Sequence, residues 1–441
     1  MSAAPIISPP PLGAYWMPFT ANQRFKSNPE LFSRAEGMYY YRADGSPVLD
    51  GIAGLWCVNA GHRCEPVVRA IQQTADELDY APSFQMGHPI VFEYANALID
   101  AAPGDISHVF FSNSGSEAVD TALKIALAYH RARNEGHRYR LVGRERDYHG
   151  VGFGGLSVSG ISGHRRPYGP LLPGVLHLPH TYDRSRMAYS RGQPDWGAEL
   201  ADALQRLLQL HDPSTVAAVI VEPVAGSTGV LVPPKDYLPK LREICDRHGI
   251  LLIFDEVITG FGRIDGMLSC EYFGVLPDLI ISAKGLTNGA VPMGATFVRQ
   301  PIYEAFMQSG NSGIELPHGY TYSGHPLAAA AGLAALRHYQ ENQLFARAQA
   351  LAPRWEALAH AMKGEPHVVD VRNIGLLAAV ELAPIEGKPG QRAQQVHKAC
   401  LKAGCLIRAS GDTMLLSPPL IIEDAQMEQL FSTLAKALRE A

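Results

Sequence analysis

Two short apolar runs near the middle of the chain, LLIFD and LIISA, each end on charge: the first on Asp255 and Glu256, the second on Lys284. Continuous apolar runs of this length predict strands buried on both faces, as in a parallel sheet. The same signature recurs upstream. HVFFS ends in the turn Asn113 to Ser116, RYRLVG leads to Tyr148, His149 and Gly150, and VAAVIV ends at Glu222. Between these runs the apolar period becomes helical: over EPVVRAIQQTADEL, over Phe92 to Ile99, and from about Glu117 through Ala118, Ala122, Ile125, Ala126 and Tyr129. ADALQRLLQL and Asp236 to His248 complete the pattern. Strand, helix and strand at short intervals predict parallel pairing through right-handed crossovers. Charged groups then collect at the carboxyl ends of the strands, where α/β domains build sites.

Outside this region, MYYYRADGSPVLD predicts two short strands around a D-G turn. LAAAAGLAALRHYQENQLFARA is helical by propensity, with further helix to about Met362. VVDVRNIGLLAAVEL predicts one strand interrupted by glycine, QQVHKACLKAG a helix, and CLIRASGDTMLLSPPLII two strands. The stretch Arg165 to Trp196 predicts a long loop, and the start a proline-rich arm to about Pro18. The expected fold is α/β, a large domain with a mainly parallel sheet plus a smaller α/β domain. Residues 1–60 supply an arm and strands to the smaller domain, 61–329 form the large one, and 330–441 complete the smaller.

Composition narrows the function classes. The 441 residues are 46% hydrophobic with 42 Gly and 32 Pro, the profile of a loop-rich α/β protein. A net charge of -5 and the lack of any long basic run argue against nucleic acid. No stretch reaches membrane-spanning length, and the start lacks a basic region followed by a signal-like apolar run. Six scattered cysteines lack zinc-site spacing and predict reduced thiols. A cytoplasmic enzyme of small-molecule metabolism is expected.

Read singly, the strand-end residues are bland: an Asp after a strand caps a helix, and a Lys before Gly lies on the surface. Together they make a specific demand. A desolvated lysine loses its proton and forms an imine with a carbonyl. A nearby carboxylate keeps a pyridine nitrogen protonated, so that the ring withdraws electrons from a carbanion. Gly115 and Ser116 at a helix start offer unpaired N–H groups to a phosphate, although a simple serine cap explains them equally in isolation. Tyr148 either stacks on a flat ring or packs in the core, and Trp56 is either a core anchor or a pocket wall. No G-x-x-x-x-G-K suits a nucleotide loop, and VGFGGLSVSG lacks the context of a dinucleotide fingerprint. A fold kept only for ligand binding would have no need of this Lys, Asp and turn together.

FDEVITGFGRIDG followed by PDLIISAKGLTNG resembles the class III aminotransferases dependent on pyridoxal phosphate, within the aspartate aminotransferase-like fold type I, and especially the omega-amino acid (beta-alanine) to pyruvate enzymes. The resemblance covers essentially the whole chain. It implies pyridoxal 5'-phosphate bound covalently to Lys284, which also moves the substrate proton. Asp255 is implied to pair with the ring nitrogen, Val257 and Tyr148 to cover opposite ring faces, and Gly115 and Ser116 to hold the phosphate. Thr321, in HGYTYSGHP, is implied to reach the phosphate of a neighbouring subunit, giving a homodimer with shared sites, or a tetramer. Glu222 is implied to lie near the cofactor on the substrate side. Arg408 is implied to receive a substrate carboxylate, with Trp56 and the segment Tyr15 to Phe19 lining a pocket. The implied partners are small amino donors and keto-acid acceptors. An enzyme for 4-aminobutyrate or a diamine, using pyruvate or 2-oxoglutarate, is the alternative. The latter acceptor needs a second cation, for which Arg24, Arg42, Arg63 and Arg165 stand open.

Overall fold

The computed structural model describes residues 11–309 and 313–441. The first ten residues of the proline-rich arm lie outside the described part. The buried runs assemble into one seven-stranded sheet. Across it lie Ile106–Ser112, Gly294–Arg299, Leu279–Ala283, Leu251–Asp255, Val216–Val221, Arg140–Arg144 and Leu176–Leu178. The four pairings from Leu279–Ala283 to Leu176–Leu178 are all parallel. Gly294–Arg299 is antiparallel to both its neighbours, so Ile106–Ser112 again runs with the parallel set. The carboxyl ends at Ser112, Arg144, Val221, Asp255 and Ala283 therefore share one edge.

Alternation explains why the central strands are apolar throughout. Ile220, Ile253 and Ile281 belong to one buried cluster, with Ala118, Ala122, Ile125 and Ala126 of the helix Gly115–Ala132. Val219, Val221, Leu252, Phe254 and Ile280 belong to the other, with Leu238, Leu241 and Ile244 of the helix Tyr237–His248. Successive side chains point to opposite faces, and both faces are covered.

Among the described residues there are two further four-stranded sheets. Phe32–Glu36, Tyr39–Arg42 and Pro47–Asp50 are joined by Cys405–Leu406, with Cys405 opposite Leu49. Val368–Ile374, Leu377–Leu382, Thr413–Leu416 and Arg408–Ser410 form the other. Residue 330 falls within the helix Pro326–Glu341.

Several local expectations are corrected. VVDVRNIGLLAAVEL is a hairpin of two strands, because Gly375 takes φ +52°, a left-handed value at which the chain reverses. The last strand region holds three strands, since Ile407 and Gly411 divide it. The presumed loop from Arg165 to Trp196 contributes the edge strand Leu176–Leu178 and a short helix, Arg184–Met187. The glycine-rich run after Gly150 contains the short helix Phe153–Val158. Five cysteines are buried and Cys57 is half-buried, all as free thiols. Among the described residues, no helix is long and apolar enough to cross a membrane.

Candidate active site

Each strand end delivers one part of the site. The helix after Ile106–Ser112 begins at Gly115, two residues earlier than its apolar period suggested, because Ser114 caps it by accepting the Glu117 N–H at 3.2 Å. The amides of Gly115 and Ser116 precede the first intrahelical bond and point outward, an arrangement that favours an anion. Val257 closes in beside them: a Cβ on Gly115 would lie 3.2 Å from its Cγ2. Ser116 Oγ accepts the Val151 N–H at 3.1 Å, leaving its own hydroxyl proton to donate.

Gly150 is equally constrained. Its φ is +85°, and a Cβ there would meet Ser116 Oγ at 2.4 Å and Ser116 Cα at 2.7 Å. Gly150→Ala is therefore expected to displace the Ser116 turn, costing about 1–3 kcal/mol of stability and, where these amides hold a phosphate as the sequence resemblance implies, most of the retention of the cofactor that carries it. Cofactor content per chain after dialysis, together with the melting temperature, checks both effects.

Asp255 is buried and fixed on both oxygens. Oδ1 accepts the Val257 N–H at 3.2 Å, and Oδ2 lies 2.8 Å from His149 Nδ1. A carboxylate only accepts, so Nδ1 carries the proton in this pair. His149 is fully buried, and its Nε2 has no hydrogen-bond partner among the described residues, with Asp147 Oδ2 3.8 Å away. Asp147 in turn receives Arg144 at 3.0 Å and accepts the Glu222 N–H at 3.0 Å.

Glu222 is buried, and its two oxygens accept the N–H groups of Tyr148 at 2.8 Å and Gly226 at 3.0 Å. Burial, and then the like charges of Asp147 and Asp255, push its carboxyl well above the ordinary range. Burial likewise raises the Tyr148 phenol, reinforced by Asp255 and Glu222. The Tyr148 ring meets His164 edge-on at 5.8 Å, and His164 meets Phe19 at 5.2 Å, so the arm of the same chain reaches this wall.

Lys284 follows its strand directly, at a left-handed φ of +53°. Its Nζ makes no ion pair among the described residues and lies 5.1 Å from the centroid of the Trp56 ring. Burial lowers the ammonium below the ordinary lysine range; Cys57, Asp255 and Glu222 oppose the shift, and Arg408 adds to it. Trp56 is buried, also left-handed at φ +62°, and Arg408 Cζ lies 5.5 Å from the same ring. Two strained residues around one ring fit the clustering of such conformations at functional sites. Arg408 has no carboxylate partner among the described residues, its Nε is buried without an acceptor, and burial lowers its guanidinium.

The structure thus brings together Gly115, Ser116, Tyr148, Glu222, Asp255, Val257, Lys284, Trp56 and Arg408. Thr321 stands apart: it is exposed in the turn after Tyr320, and its carbonyl accepts the Tyr80 hydroxyl at 3.1 Å. Sequence reasoning gave Arg144 and Asp147, in RERDYHG, no role. Their position just before Tyr148, at a buried strand end, was the available signal. It also left His149 without a role, because its partner is remote in sequence. Arg263 of the GFGRIDG motif proves to be a buried tie, donating to Asn59 Oδ1 at 2.6 Å and to the Pro418 carbonyl.

A free, desolvated amine, a paired carboxylate, unbonded helix amides and flanking Val257 and Tyr148 fit a flat pyridine bearing a phosphate. The comparisons agree. The sequence profile of the aminotransferase class-III family matches residues 21–438. An omega-aminotransferase of Caulobacter vibrioides is 56% identical over 97% of both chains. A beta-alanine–pyruvate aminotransferase of Pseudomonas aeruginosa is 45% identical over 99% of this chain and 98% of its own. A pyridoxal-phosphate-bound amine transaminase from an uncultivated Pseudomonas species superposes with a TM-score of 0.89, at 36% identity over 97% of this chain and 98% of that one. The cofactor this site implies is therefore pyridoxal phosphate, and the chain belongs to the class-III aminotransferases.

Proposed function

We propose that this enzyme moves the amino group of beta-alanine, or of another omega-amino acid or amine, to pyruvate. The products are L-alanine and a carbonyl compound, malonate semialdehyde when beta-alanine is the donor. When bound, pyridoxal phosphate carries the nitrogen between the two substrates and withdraws electrons from the carbon that loses its proton. In this reading Lys284 Nζ holds the cofactor covalently and, once released, moves the proton at the substrate carbon. Asp255 keeps the ring nitrogen protonated, and Val257 and Tyr148 hold the ring between them. Gly115 and Ser116 bind the phosphate, and Thr321, exposed on its turn, serves the site of a neighbouring subunit in a homodimer or tetramer. Glu222 borders the substrate side.

The observation that carries the substrate class is Arg408: a half-buried guanidinium with no anion of its own among the described residues, beside Trp56 and Lys284. A buried cation without a partner is costly, and a substrate carboxylate engaged bidentately removes that cost. Pyruvate is favoured over 2-oxoglutarate because three of the arginines open to a second carboxylate are engaged. Arg42 is held by Glu30 and Arg63 by Glu36, and Arg165 turns to His177.

Absorbance titration of the holoenzyme tests the proposal. Beta-alanine is expected to shift the visible band of the bound cofactor and pyruvate to restore it. Conversion by 4-aminobutyrate alone, or restoration by 2-oxoglutarate alone, would move the assignment to the alternative pairing. Arg408→Ala should raise half-saturating pyruvate about 10- to 100-fold, the weight of a charge-assisted bond. Reaction with an amine lacking a carboxylate should change far less, and equal losses in both would reject selective carboxylate recognition.

A further inference from the structure

The carbonyl oxygens of three consecutive residues, Ser227, Thr228 and Gly229, are taken by three side chains from distant parts of the sequence. Ser410 Oγ donates to Ser227 O at 2.8 Å, Arg146 Nη2 to Thr228 O at 3.0 Å, and Arg372 Nε to Gly229 O at 2.9 Å. The turn they grip is built onto the site. Gly226 gives its N–H to Glu222 Oε2 at 3.0 Å, while its carbonyl accepts the Gly229 N–H at 3.3 Å.

The donors also reach back to the site. Ser410 lies two residues beyond Arg408 on the strand Arg408–Ser410, so both side chains leave the same face. Arg146 precedes Tyr148 by two residues, and its own φ is +68°. Arg372 cannot turn away, because Asp370 and Glu381 both pair with it and the Tyr182 hydroxyl donates to Asp370 at 2.7 Å. The turn is fitted closely against it: Gly229 has φ +129°, and a Cβ there would lie 3.1 Å from Arg372 Nη2. A cleft of about 410 Å³, lined by Arg146, Thr228, Glu381 and Ser410 among others, borders these contacts. A loosened turn would therefore have room to shift.

We propose that Ser410, Arg146 and Arg372 are positioning residues, a three-point clamp on the turn 226–229 that fixes where Arg408 stands relative to Glu222. The proposal rests on the reading of Arg408 as the carboxylate receiver. Ser410 is the member to test. It is half-buried and lies on a strand held independently by the pairing of Arg408 with Leu415 and Ala409 with Met414, so its hydroxyl can be removed without unfolding the sheet.

The experiment uses the holoenzyme and follows the two half-reactions separately, one with pyruvate added after a donor has aminated the cofactor, and one with benzylamine, a donor without a carboxylate, added to the unaminated form. Ser410→Ala is expected to raise half-saturating pyruvate about fivefold, the weight of one neutral hydrogen bond. Its limiting rate and its reaction with benzylamine should remain near those of the parent. Ser410→Thr, which keeps the hydroxyl, should recover most of the loss. Arg408→Ala is run beside them. If it is selective for pyruvate while Ser410→Ala changes nothing, or slows both half-reactions alike, the clamp is overturned and the carboxylate reading stands. A threonine variant as weak as the alanine one also counts against the clamp. If Arg408→Ala itself is unselective, the carboxylate reading fails and takes the clamp with it.

Discussion

Lys284→Ala is expected to lower transamination about 10⁴-fold or more, because the proposed function makes this residue both the covalent anchor and the base that moves the substrate proton. Steady-state turnover with excess cofactor checks this, and persistence of ordinary rates would sink the assignment. A second readout separates chemistry from folding. Burial places the Lys284 ammonium below its ordinary range, so at neutral pH its charge opposes folding of the cofactor-free protein. Between the folded value and the unfolded one, the unfolded state binds more protons, and stability rises with pH. Cofactor-free Lys284→Met should therefore be more stable than the cofactor-free parent at neutral pH, with the advantage shrinking as pH climbs towards the ordinary lysine range. Denaturant unfolding across that range measures the difference. An inactive variant that is more stable than its parent has lost a function, not a fold.

The parts of the site legible in the sequence are those in which a buried strand ends on an unusual residue. LLIFD before Glu256, LIISA before Lys284 and VAAVIV before Glu222 could be read because a run buried on both faces has a single apolar signature. Ser114, Gly115 and Ser116 could be read because helix starts use few residue types. What escaped was long-range pairing. Nothing local ties His149 to Asp255, or Asp147 to the Glu222 amide, since those contacts exist only once parallel strands bring their ends together. GATFVR escaped as a strand for a related reason: it is antiparallel, begins at Gly294 and carries Thr296, whose hydroxyl donates to the Ala118 carbonyl rather than facing solvent. The hairpin at Gly375 reads in sequence as one strand because a single glycine marks a bulge as readily as a reversal.

Asp255→Asn is expected to lower the rate of proton abstraction about 10²- to 10³-fold, the scale on which removal of one aimed electrostatic group acts at a reacting centre. The surrounding contacts predict that the loss comes from charge rather than collapse. An asparagine can still accept the Val257 N–H or the His149 Nδ1–H through its one oxygen, so the side chain keeps a position close to that of the parent. What it cannot do is hold a proton on a ring nitrogen set against it. Its effect also spreads to Glu222, whose carboxyl is raised partly by the negative charge of Asp255. With that charge gone, Glu222 should ionise at lower pH, and any dependence of the rate on Glu222 should shift to lower pH with it. Single-turnover rates with beta-alanine between pH 6 and 9, for the parent, Asp255→Asn and Asp255→Glu, separate the two effects. A variant that retains its cofactor but loses the proton-abstraction step supports the ring-nitrogen role; an unchanged rate constant for that step rejects it. Asp255→Glu restores the charge at the wrong distance from His149, so a partial recovery of rate would assign the remaining loss to geometry.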